Sequence, residues 1–176
     1  MPSAPPDLAA SALRTLVLYS LTQFQLGHAT TIRVSLEGSA FGIAYDGPGH
    51  PLDKTLEGSP YLRFIYTHFD YPFEAGRAAP VQLQGLGMSL VHALCSTLQL
   101  TVRKRDETFT LGFRDGQEVA RTREPEANAE TGITISARLR PELPPGGTGS
   151  AALEAWLRGL LQVHPTLRLY FNGQRL

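Results

Sequence analysis

The sequence predicts an α/β (α+β) two-layer sandwich, with a mixed, mostly antiparallel sheet and helices on one of its faces. Three observations predict it. One helical pattern opens the chain, through a stripe of Leu13, Leu16, Val17, Leu21 and Phe24, and another precedes its last strand. Between them, short runs suited to strands are separated by turn residues. Helices and strands thus sort into one layer of each, and such layers bury their apolar faces against one another. The 176 residues, 42% of them hydrophobic, are enough for a core of their own, so residues 1–176 read as one domain.

Taken in order, residues 1–7 are Pro-rich and expected to be flexible, with Pro5, Pro6 and Asp7 marking a helix start and Asp7 its cap. The helix is expected from about Leu8 to Leu26, ending at Gly27. Thr31 to Leu36 and Phe41 to Tyr45 read as strands around the Glu37-Gly38-Ser39 turn. The loop Asp46-Gly47-Pro48-Gly49-His50-Pro51-Leu52-Asp53 follows, and then a short helix over Pro60 to Phe69. Asp70 to Leu83 has two prolines, a glycine and no clear period, and a segment of that length suits a lid; residues 70–84 are read as lid-like.

Gln84-Gly85-Leu86-Gly87-Met88 places two glycines directly before an apolar helical pattern that runs to about Leu98. A helix N-terminus presents unpaired N–H groups and positive potential, so this junction is a candidate phosphate cradle. Cys95 falls inside that pattern and reads as a small buried hydrophobe. Gln99 to Arg105 and Thr108 to Phe113 form a strand pair around Asp106-Glu107. Residues 121–130 are polar and expected to be a mobile loop. Ile133 to Leu139 is a strand, Pro144 to Gly149 a loop, Ala151 to Val163 a helix and Leu167 to Phe171 a strand.

Composition excludes several functions. Sixteen basic and sixteen acidic side chains cancel, which argues against direct nucleic-acid binding through a general electrostatic pull. One cysteine allows neither an internal disulfide nor a cysteine zinc cluster. His28, His50, His68, His92 and His164 show no ligand spacing. Arg103-Lys104-Arg105 reads as a solvated strand end. The start of the chain lacks a basic region before apolar residues, and no apolar run reaches membrane-spanning length, so a cytoplasmic protein without a membrane partner is expected.

Four landmarks in order carry a resemblance: Leu13-Arg14-Thr15-Leu16-Val17, then Ile43-Ala44-Tyr45-Asp46-Gly47-Pro48-Gly49-His50-Pro51, then Leu83 to Leu94, then Glu130-Thr131-Gly132-Ile133-Thr134. From Leu13 to Leu176 the chain resembles the ATPase domain of the gyrase B protein and its topoisomerase IV relatives, of the GHKL (Bergerat-fold) group. The resemblance implies nucleotide-facing positions at Asp46, Gly47, Gly49, Gly85, Leu86, Gly87 and Met88. It also implies departures. The family's water-activating glutamate and magnesium-binding asparagine lie four apart on the first helix, where this chain has Tyr19 and Gln23. The helix has no acidic residue in any register. The adenine-holding aspartate and threonine correspond to Tyr45 and Ile133. Asp46, one residue on, replaces the aspartate only if the strand end bulges, and otherwise accepts turn hydrogen bonds.

The lid is depleted as well. Val81 and Gln82 stand where relatives have glycines, and Arg77 is the one cation between Asp70 and Pro80. Tyr61, Phe64, Tyr66, Phe69, Tyr71 and Phe73 crowd this region, either closing the pocket or offering a partner surface. No transducer domain and no N-terminal dimerisation arm is evident. The expectation is a degenerate, stand-alone gyrase-B-like domain, without catalytic or metal-binding residues, that acts as a binding or regulatory module. ATP and magnesium are disfavoured as ligands, and a topoisomerase subunit or a second copy is the expected partner. The alternative is an ATP-binding protein with weak magnesium-dependent ATPase activity.

Overall fold

The carboxylate of Asp7 accepts a hydrogen bond from the N–H of Ala10 at 2.9 Å and so starts helix α1, Leu8–Gln25, where the sequence placed its cap. The structure, a computed structural model, describes residues 7–56, 58–63, 88–143 and 149–176. Ala9, Ala12, Leu13, Leu16, Val17 and Leu21 of α1 are buried, giving the helix the apolar face that docks on the sheet.

The strands are β1 (Thr31–Glu37), β2 (Ala40–Asp46), β3 (Thr55–Leu56), β4 (Ser59–Pro60), β5 (Cys95–Arg103), β6 (Glu107–Arg114), β7 (Gln117–Pro125), β8 (Gly132–Leu139), β9 (Arg168–Phe171) and β10 (Gln174–Arg175). Helix α2 spans Met88–Leu94 and α3 spans Gly149–Val163. Eight strands form one sheet in the order β10-β9-β1-β2-β8-β5-β6-β7, and β3 with β4 forms a separate hairpin. Only β1 and β9 run parallel; every other described pairing is antiparallel.

Alternation along each strand divides the sheet into two faces. Ile32 and Val34 of β1, Phe41, Ile43 and Tyr45 of β2, Leu98, Leu100 and Val102 of β5, and Ile133 and Ile135 of β8 are buried in one core with α1 and α3. The opposite face carries Arg33, Ser35, Thr134, Ser136 and Arg138. This is the mixed, mostly antiparallel two-layer fold that the sequence predicted.

Four segments depart from expectation. Helix α2 stops at Leu94 and β5 begins at Cys95, because Val91, Leu94, Cys95 and Leu98 fit helical spacing while the chain from Cys95 onward pairs with β8. Cys95 is buried as expected, but on a strand. Residues 121–125, expected within a mobile loop at 121–130, belong to β7. This edge strand is exposed on both faces and so shows no apolar alternation. Pro60 ends β4 and residues 61–63 are helical, so the short helix starts after Pro60. Strand β10 has two residues and no sequence signal. The expected lid at 70–84, the Gly85-Leu86-Gly87 junction, residues 1–6 and most of the Pro144 to Gly149 loop lie outside the described residues. No helix among the described residues is long and apolar enough to cross a membrane.

Leu100 is fully buried on β5, whereas Val119 on the β7 edge is 58% exposed. Leu100→Ala is expected to lower unfolding free energy by about 2–5 kcal/mol, and Val119→Ala to change it by less than about 0.5 kcal/mol; urea denaturation of both variants measures the difference.

Candidate functional site

The loop after β2 crosses the ends of β2, β8 and β5 on the helix-covered side. Its floor is set by register. Tyr45 of β2 lies directly opposite Ile133 of β8, and Ile133 lies opposite Val102 of β5. All three are buried, with Tyr45 7% and Ile133 2% exposed. Burial, and next the neighbouring Tyr61, push the Tyr45 phenol far above its ordinary pKa, so it is a neutral hydroxyl on an otherwise apolar floor.

Two glycines let the loop approach that floor. Gly47 has φ +120°, and a Cβ there would stand 2.4 Å from the His28 carbonyl oxygen. Gly49, at φ +68°, rests on the sheet so closely that a Cβ would meet Val102 Cγ1 at 2.9 Å and Ile133 Cγ1 at 3.6 Å. The backbone of the second glycine therefore covers the place where Val102 and Ile133 meet.

Side chains fasten the loop at both ends. The Asp46 carboxylate accepts from the backbone N–H of Thr30 at 2.7 Å, from that of Thr31 at 2.8 Å and from the Thr30 hydroxyl. Burial alone would raise its pKa, but these hydrogen bonds outweigh it and hold the carboxyl below its ordinary value. Lys104, just beyond β5, donates from Nζ to the Pro48 carbonyl oxygen. Arg123 of β7 binds Asp53 at 2.6 Å and Glu107 at 3.0 Å, tying the loop's far end to β6 and β7. His50 is partly buried and meets the Tyr61 ring edge-on at 5.9 Å. Burial first, and then the Lys104 charge, push its imidazole down to about 4. Lys54 lies 4.9 Å over Tyr61.

No protein-family profile matches the chain. The B subunit of DNA topoisomerase 4 from Salmonella typhimurium is 28% identical over 111 residues, 57% of this chain and 17% of that protein. The DNA gyrase B subunit of Micrococcus luteus is 32% identical over 102 residues, 55% of this chain and 14% of that protein. The gyrase B subunit of Haloferax volcanii is 31% identical over 126 residues, 66% and 20% of the two chains. Each match thus spans a fifth or less of the curated relative. Among solved structures, the topoisomerase IV ATP-binding domain of Francisella tularensis, in complex with a small-molecule inhibitor, superposes with TM-score 0.73. It covers 93% of this chain and 83% of that one at 19% identity. The fold is the GHKL fold. The chain is homologous to the B subunits of gyrase and topoisomerase IV over the aligned stretch.

Within this GHKL fold the expected site residues separate into groups. Asp46, Gly47 and Gly49 do come together with Tyr45 and Ile133. Strand alternation places Asp46 on the face opposite Tyr45, however, and its carboxylate is committed to the start of β1. The strand ends without the bulge that would let Asp46 take the place of Tyr45. Gln23 Oε1 lies 3.3 Å from His28 Nδ1, at the foot of the same loop. Tyr19 is partly buried and packs against the core. Met88 opens α2, while Gly85, Leu86, Gly87 and Arg77 lie outside the described residues. Sequence reasoning missed Thr30, His50, Asp53, Lys104 and Arg123. For Lys104 a signal existed: alternation past β5 sends it to the opposite face from Arg103, so the basic run is not one solvated edge.

Removing the Asp46 carboxylate leaves two backbone donors without it. Asp46→Ala is expected to cost about 1–3 kcal/mol, measured by urea denaturation. Both depressed pKa values make stability fall in acid. The unfolded His50 takes up a proton near 6.5, the folded one only near 4. Its contribution is complete above about pH 6.5 and is lost as pH falls toward 4, at no more than about 1.4 kcal/mol per pH unit. The Asp46 contribution is present above the ordinary carboxylate pKa and is lost below it. Denaturation midpoints between pH 7 and 4 are expected to fall less steeply in His50→Gln than in the unsubstituted protein.

Proposed function

We propose that this chain is a gyrase-B-like domain that does not turn over ATP and works as a binding or regulatory module. The observation that carries the reading is the pair Tyr45 and Ile133, side by side and buried at the two positions that the resemblance assigns to adenine contacts. A carboxylate that accepts from an amino group has become a neutral phenol, and the hydroxyl beside it has become a hydrocarbon. The loss of one charged hydrogen bond is worth about 1.5–3 kcal/mol, tenfold or more in affinity.

The remaining residues fit magnesium-ATP poorly. Helix α1 offers no carboxylate to activate water, and loss of a general base costs about 10²–10⁴ in rate. Asp46 is occupied by Thr30 and Thr31. Among the described residues, no group of three or more His, Cys, Asp or Glu side chains could hold a metal ion. We propose a protein partner, either a topoisomerase subunit or a second copy of this chain, because the balanced charge gives no general attraction to nucleic acid.

Purified protein is expected to release phosphate from ATP no faster than a blank. Its melting temperature is expected to rise by less than about 1 °C in millimolar magnesium-ATP, because ligand stabilisation grows with the ratio of ligand to Kd. A saturable rise of several degrees together with turnover would instead establish the ATP-binding alternative.

A further inference from the structure

On the sheet face turned away from the helices, Arg33 of β1 and Arg103 of β5 line a single cleft of about 250 Å³. Register explains its shape. Ala44 lies between Arg33 and Thr134, and Gly132 lies beside Arg103, so the strands between the two arginine positions present a methyl group, a hydroxyl and bare backbone on this face. Long side chains therefore stand at the margins of a floor made from short ones.

Both arginines are positioned by neutral groups. The Arg33 guanidinium lies over the Tyr170 ring, 5.3 Å from its centroid, and Arg103 Nη1 donates to Thr134 Oγ1 at 3.0 Å. Neither forms an ion pair with any described residue, whereas Arg121, Arg123 and Arg158 each hold a carboxylate. Two carboxylates border the cleft. Asp46 is turned onto Thr30 and Thr31, and Glu130 is exposed. A ring face and a hydroxyl orient a guanidinium without neutralising it, leaving its N–H fork available to an oxyanion.

We propose that this cleft binds a small, doubly charged oxyanion, a phosphate monoester or a dicarboxylate, held between Arg33 and Arg103. The volume lies below the roughly 300–1,000 Å³ of pockets for drug-sized ligands, so the ligand is small. Tyr45 and Ile133 also border the cleft, but strand alternation sends their buried side chains to the helix-covered face, so the anion site does not depend on the nucleotide reading.

Isothermal titration of the whole chain with inorganic phosphate, and separately with succinate, at low ionic strength tests it. Saturable binding of at least one is expected, weakened tenfold or more by Arg33→Gln and by Arg103→Gln and unchanged by Arg158→Gln on α3. The tighter of the two probes identifies the anionic group. Arg33→Lys keeps the charge but loses the fork and is expected to retain an intermediate affinity. Thermal melting of each variant checks that it is folded. Absence of saturable binding for both probes, or an equal loss in Arg158→Gln, overturns the proposal.

Discussion

In an antiparallel strand pair, residues directly opposite share a face and stand about 4.5–5.5 Å apart. The pairing of β2 with β8 therefore fixes more than the sheet. It places Tyr45 against Ile133 beneath the helix layer, puts Asp46 on the reverse face and sets Ala44 beside Thr134 on the open side. A slip of one residue would exchange every one of these assignments. The loop-covered end of the fold and the cleft on the sheet's open face are consequences of the same register.

Much of the fold was legible because it rests on periodicity. The stripe from Leu13 to Phe24 and the cap at Asp7 gave α1 almost to the residue. Where two periods coincide, the sequence misled. Val91, Leu94, Cys95 and Leu98 satisfy helical spacing, and only pairing with β8 turns Cys95 into the first residue of a strand. β7 was invisible for another reason. As an edge strand of Arg, Glu and Thr it buries little, so backbone pairing with β6 is what makes it regular. Tertiary partners, not local preference, decide such segments.

The site was legible in part. The glycine spacing identified the loop, and the two close approaches at Gly47 and Gly49 explain why glycine stands at those positions. The fastening of that loop was not legible. Thr30 and Asp46 are separated by 16 residues, Pro48 and Lys104 by 56, and Asp53 and Arg123 by 70. Each contact is a long-range product of the strand order, with no local spacing to reveal it. Together they hold the Gly47 to Asp53 segment across the ends of β2, β8 and β5. A loop held at three points and resting on Val102 and Ile133 has less conformational freedom than an untethered one.

Methyl NMR of Ile133 reports directly on that floor. Titration of the isotopically labelled protein with magnesium-ATP into the millimolar range is expected to leave the Ile133 δ1 resonance where it is. A saturable displacement of that resonance, lost when Gly49 is replaced by a residue that blocks the loop's approach, would show that the floor admits a nucleotide and would contradict the account.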